Sequence, residues 1–141
     1  MPGAPDRFVL DTSALFCLLQ NEAGAEQVDH ILKTNGPGDR VFVSFISLME
    51  YCYKLQRDFG EGIARRAYLQ LKQLPLQVIE SDEQLGLSAA AIKATHKLSV
   101  ADAWIAATAL RLGATLVHKD PEFESLKNDM SLQPLPYKQR L

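Results

Sequence analysis

Cysteine is scarce in this chain, with only Cys17 and Cys52 among 141 residues. Both lie in apolar segments that read as helix, beside Phe16, Leu18, Tyr51 and Tyr53, where a free thiol serves as a small buried hydrophobe rather than half of a disulfide. Histidine is scarce too. His30, His96 and His118 are scattered, and no pair of Cys or His residues has the close spacing of a zinc site. Any bound metal is therefore expected to be a hard cation held by oxygen.

Long apolar runs are also missing. The stretches over residues 42–55 and 101–112 are broken by Glu50, Lys54 and Asp102, and neither approaches the roughly 18–20 apolar residues needed to cross a bilayer. Residues 1–7 carry no basic flank and lead straight into Phe8-Val9-Leu10, so neither a signal peptide nor a membrane span is expected, and the expected location is the cytoplasm. Positive charge is not in excess. At a net charge of −2 nothing attracts a polyanion globally, so nucleic-acid binding requires a local basic surface or a bound metal. Internal repeats and low-complexity segments are absent.

What is present is the composition of a globular chain, 47% hydrophobic and 23% charged, expected to form one domain over residues 1–141 with a core at about 7–136. Phe8-Val9-Leu10 reads as a strand that passes at Asp11 directly into a helix over residues 12–20. A second amphipathic helix fits residues 22–33, and Asn35-Gly36-Pro37-Gly38-Asp39 supplies turn chemistry before the strand Val41-Phe42-Val43. A helix over 45–59 follows, and Gly60 and Gly62 separate it from another at about 63–73. Pro75 opens a third strand over 76–79, after which Ser81 or Asp82 caps a helix running toward Leu98. Ser99 looks like the cap of an Ala-rich helix over 100–112, ended by Gly113. Thr115-Leu116-Val117 is the fourth strand, and residues 132–135 a fifth at an edge, since Pro134 and Pro136 cannot donate to a ladder. Short strands alternating with helices predict an α/β fold with a mostly parallel sheet of four to five strands.

In such sheets ligands collect beyond the carboxyl ends of the strands, which directs attention to Asp11 and Asp120. Each also has a local reading: Asp11 or Thr12 as a helix cap, and Asp120-Pro121 as the start of a turn. Ser47, Glu50, Lys54 and Arg57 recur at spacings of three and four and share one helical stripe. That stripe is either a solvated face with a Glu50–Lys54 pair or a groove wall that aims Glu50 at the sheet edge and offers cations to phosphates. Asp102 stands in the first turn of a helix that is apolar nearly all round, where Ser99 and the helix dipole account for it as readily as a ligand role does. Were all four carboxylates to converge within ~5 Å, each ionised pair would repel by about 3 kcal/mol at an effective dielectric of about 20. Such a cluster requires cations or shared protons, and oxygen-only ligation points to Mg²⁺ or Mn²⁺.

These segments together resemble the PIN-domain family, and within it the VapC-like toxins. Phe8-Val9-Leu10-Asp11-Thr12-Ser13-Ala14 resembles the family's opening strand and first aspartate, and Val43-Ser44-Phe45-Ile46-Ser47-Leu48-Met49-Glu50 the segment that supplies its glutamate. The stretch from Leu98 to Ala109, centred on Ala101-Asp102-Ala103-Trp104, is the closest match, and Ala114 to Phe123 resembles the closing strand and acidic turn. The resemblance spans nearly the whole chain and rests on the order and separation of these motifs. It implies a three-layer α/β/α fold, an RNA substrate, a homodimer, and a small antitoxin partner whose segment covers the acidic pocket. It also implies that Asp11, Glu50, Asp102 and Asp120 hold one or two Mg²⁺ or Mn²⁺ ions for phosphodiester hydrolysis. Thr12, Ser13, Ser99 and Glu122 would be auxiliary, and Lys54, Arg57, Arg65, Arg66 and Lys119 are candidates for RNA phosphates.

The family often has Thr or Ser where His118 stands, so His118 either alters substrate positioning or, as the favoured reading, faces outward and is inert. Two other functions fit the residues: a catalytically silent PIN-like module that binds RNA or protein, or a housekeeping RNA-processing nuclease. Phosphotransfer on Asp11 is disfavoured, because Asp11-Thr12-Ser13 lacks the second aspartate of an Asp-x-Asp nucleophile.

Overall fold

Alternation of apolar side chains across short strands sets the architecture. In the computed structural model, which describes residues 6–34 and 40–138, β1 (Phe8–Leu10) sends Leu10 to one face of the sheet and Val9 to the other. In β2 (Val41–Ser44), Val41 and Val43 share the face of Leu10 while Phe42 joins Val9, and in β4 (Thr115–His118) Val117 and Leu116 divide in the same way. With β3 (Gln77–Ile79) and β5 (Leu132–Pro134) the strands form one five-stranded sheet, ordered β3-β2-β1-β4-β5, with every pairing parallel.

Both faces are covered, as an all-parallel sheet requires. The Leu10 face carries α1 (Thr12–Leu19), α2 (Ala25–Thr34), α3 (Phe45–Phe59) and α4 (Glu61–Lys72), through Leu15, Val28, Tyr51 and Leu71 among others. The Val9 face carries α5 (Glu83–Thr95), α6 (Val100–Leu112) and a 3₁₀ helix (Pro121–Leu126), through Leu85, Ile105 and Phe123. This is the three-layer α/β/α arrangement. Because β1 has β2 on one side and β4 on the other, the direction of winding reverses between β1 and β4, and the crevice beyond their carboxyl ends is where such a fold takes a ligand.

Several boundaries differ from those read in the sequence. The second helix starts at Ala25 rather than residue 22, because Asn21 at φ 52° and Gly24 at φ 104° turn the chain first. A Cβ on Gly24 would lie 2.9 Å from Pro136 Cδ, so the turn also needs that residue's small size. Gly60, at φ 92°, is the break between α3 and α4, while Gly62 lies inside the first turn of α4. The helix from residue 83 stops at Thr95, where His96 is extended, well before Leu98. Asp82 rather than Ser81 caps it: its Oδ1 accepts from Leu85 N at 2.8 Å while its carboxylate grips Arg111 of α6 at 2.6 and 2.7 Å. The third strand begins at Gln77, one residue late, and β5 occupies the expected edge. The turn read at residues 35–39 and the opening residues 1–5 lie outside the described residues. Among the described residues no helix is long and apolar enough to cross a membrane.

Candidate metal centre

Asp11 follows the last residue of the central strand, and its backbone N–H donates to Val117 O of β4 at 3.1 Å, which seats it in the crevice. The local reading and the positional one both hold for it. Asp11 Oδ1 accepts from Ala14 N at 2.8 Å and so caps α1, and the same carboxylate receives the Ser13 hydroxyl at 2.7 and 2.8 Å. Ser13 Oγ in turn accepts from Lys119 N at 2.9 Å, tying the start of α1 to the turn after β4. Asp11 is only 2% exposed, and burial pushes its carboxyl up to about 7 despite the hydrogen bonds from Ser13 and Ala14 that favour its charge, with Asp120 adding repulsion.

Glu50 lies on α3 with its side chain turned inward. Thr12 Oγ1 donates to Glu50 Oε1 at 2.6 Å and lies 3.1 Å from Ser47 Oγ, and Ser47 is fully buried. The polar stripe is thus not uniformly solvated. Its first two members line the interior, while Lys54, 4.0 Å from Glu50, and Arg57, paired with Asp58 at 2.8 Å, occupy the rim.

Asp102 sits in the first turn of α6, where its backbone N–H donates to Ser99 Oγ at 3.1 Å, so Ser99 is the helix cap. Its carboxyl is also pushed up to about 7, chiefly by burial and then by the charges of Asp11, Asp120 and Glu50, in that order. Asp102 therefore feels the charge of the other three expected carboxylates. Asp120 follows β4 and caps the 3₁₀ helix, accepting from Glu122 N at 3.0 Å, with Pro121 at the first helical position.

The tightest grouping is not the expected four. Among the described residues, ligand oxygens of Asp102, Asp120 and Glu122 all lie within 4.8 Å of one another. Asp11 and Glu50 stand beside this triad, each steadied by its own hydroxyl. Glu122, read from sequence as auxiliary, is thus a full member of the cluster, and the turn Asp120-Pro121-Glu122 is the signal that carries it.

Two side chains depart from expectation. His118 does not face outward: it is fully buried, its Nδ1 accepts from Asp120 N at 3.3 Å, and its ring packs against Phe123 at 5.2 Å. Burial lowers its pKa, and the ring packs behind the acidic turn. Lys119 does not reach into solvent for phosphate. Its ammonium donates to Ala23 O at 2.8 Å and to Glu22 Oε1 at 3.2 Å, and its side chain is 4% exposed. Arg65 and Arg66 are exposed on α4, Arg65 pairing with Glu61 at 3.1 Å. Lys54 and Arg57 are the two expected RNA-contacting cations at the rim of the crevice.

The donor set fits a divalent hard cation. It consists of carboxylate oxygens alone, and burial, with repulsion among the carboxylates added to it, pushes Asp11 and Asp102 up to about 7.

A model of the PIN domain matches residues 8–128. No curated protein matches the chain. Among solved structures, VapBC-1 from nontypeable Haemophilus influenzae is 25% identical, covering 90% of this chain and 96% of that one at a TM-score of 0.69. Mycobacterium tuberculosis VapC20, described as a sarcin-ricin loop cleaving toxin, is 20% identical over 84% of this chain and 93% of that one, with a TM-score of 0.67. A toxin–antitoxin complex from Klebsiella pneumoniae is similar at 19% identity and a TM-score of 0.66, covering 92% and 98%.

Proposed function

We propose a function from the premise that the chain belongs to the PIN-domain family: it is a metal-dependent endoribonuclease, the toxin of a VapBC-type pair. The observation that carries the reading is the carboxylate crevice between β1 and β4. There Asp102, Asp120 and Glu122 converge within 4.8 Å, and repulsion from Asp11, Asp120 and Glu50 helps to raise the pKa of Asp102. Asp11, Glu50, Asp102 and Asp120, with Glu122, hold one or two Mg²⁺ or Mn²⁺ ions. Bound there, a divalent cation supplies the positive charge that activates water for attack on phosphorus and offsets the charge gathering on the phosphate oxygens.

The protein's own part is positioning. Ser13 and the Ala14 N–H fix Asp11, Thr12 fixes Glu50, and the two turns that carry Asp102 and Asp120 present their oxygens to the same space. Lys54 and Arg57 hold the RNA backbone at the rim. The phosphodiester is cut to a 5′-phosphate and a 3′-hydroxyl. The chain acts as one PIN domain in the cytoplasm, as a homodimer held by a small antitoxin. The similarity to solved toxin–antitoxin assemblies supports these partners.

End-labelled single-stranded RNA incubated with the purified chain tests the reading. Cleavage with Mg²⁺ or Mn²⁺, abolished by chelator and by Asp102→Asn in folded protein, is the expected outcome. Salt-dependent RNA binding without any cleavage would make the chain a silent binding module instead.

A further inference from the structure

We propose that the cavity beside the acidic cluster is a nucleotide pocket that seats one unstacked nucleotide of a single-stranded RNA, next to the phosphate being cut. The cavity, of about 380 Å³, is bounded by Phe16 of α1, Gln20 just past its end, Lys54 and Arg57 of α3, and Lys138, with Lys119 and the carboxylates of Glu22 and Asp58 in its lining, and it meets the cluster at Asp120. That volume lies at the lower end of the range for pockets that enclose a small organic ligand, which suits one nucleotide and not a stacked pair.

Each wall offers what a nucleotide needs. Phe16 is half-buried and held against the Tyr51 ring at 4.7 Å, so it is a fixed aromatic face for a base to stack on. Gln20 is exposed at the end of α1 and carries both a donor and an acceptor, the minimum for reading a base edge. Lys54, Arg57 and Lys138 have side chains 37%, 61% and 74% exposed, each paired with a single carboxylate at 4.0, 2.8 and 3.3 Å. The cationic ends of these pairs lie on the solvent side, so an incoming phosphate reaches them directly. The inference rests on the nuclease reading only for the position of the cut. The pocket itself is defined by these side chains.

Photo-crosslinking tests it separately from catalysis. Single-stranded RNA hexamers with 4-thiouridine at each position in turn are irradiated with the full chain carrying Asp102→Asn, and crosslinked peptides are mapped by mass spectrometry. Crosslinks from one position to the α1 peptide containing Phe16 and Gln20 are expected. Phe16→Leu, which keeps an apolar contact with Tyr51, should weaken hexamer binding about tenfold. Gln20→Ala should leave folding intact and change which base is preferred at that position. Crosslinks spread over other surfaces, with both variants binding as the parent does, would overturn the pocket even if the unsubstituted chain cuts RNA. Crosslinks in the pocket from a chain that never cuts RNA would uphold it and defeat the nuclease reading instead.

Discussion

Thr12 Oγ1 donates to Glu50 Oε1 at 2.6 Å, joining the first turn of α1 to the middle of α3. The residue beside one carboxylate thereby orients a second one 38 positions further along the chain, so two elements that share no strand are locked into one site. A hydrogen bond to a partly buried charged group contributes about 1.5–3 kcal/mol, enough to hold a single rotamer.

Replacing Thr12 with Ala should therefore lower stability by about 1–3 kcal/mol and RNA cleavage by about 10- to 100-fold, while Ser at the same position restores most of both. Urea denaturation and initial cleavage rates check this. Equal loss in the Ala and Ser variants would show that the methyl group, and not the hydroxyl, is what matters.

The pH dependence of the metal-free protein follows from Asp11 and Asp102, each pushed from 3.8 up to about 7. A carboxyl whose pKa is higher folded than unfolded keeps its proton longer in the native state, so its contribution to stability is complete below about pH 4 and is lost as pH rises through about 7. Denaturation in chelator from pH 4 to 8 should show stability falling across that window and levelling above it. Asp11→Asn and Asp102→Asn should each flatten the fall, and Mn²⁺ should reverse it. Stability that rises from pH 5 to 8 without metal would contradict the burial of these groups.

Lys119 is expected to matter for folding rather than for RNA. Lys119→Met leaves Ala23 O and part of Glu22 without a donor, so the variant should lose about 1–3 kcal/mol of stability. Per mole of folded protein, its RNA affinity should stay within about twofold of the parent in a filter-binding assay. A large drop in affinity with unchanged stability would place the ammonium on the RNA after all.

The parts legible in the sequence were those set by neighbours in the chain. The 45–59 and 100–112 helices have the bounds their periodicity and caps indicate, because Ser44, Ser99, Gly60 and Gly113 act locally. Asp11, Asp102 and Asp120 are legible as candidates because each stands at a strand or helix end that the pattern locates. The surroundings of Lys119 and His118 are not legible, because the residues that make them are remote in the chain. Glu22, which takes the Lys119 ammonium, lies 97 positions earlier, and Tyr137, whose ring is 6.1 Å from His118, comes 19 positions later. Glu122 gains its place in the cluster from the way the 3₁₀ turn folds back toward α6, which no helical or strand period records.

The central claim is that these acidic side chains share a divalent ion, and calorimetric titration of Mn²⁺ into metal-stripped protein tests it most directly. Saturable binding is predicted, with protons released near pH 6.5 and affinity at least tenfold weaker in Asp102→Asn. Failure of the folded parent to bind Mn²⁺, or equal binding by parent and variant, would contradict it.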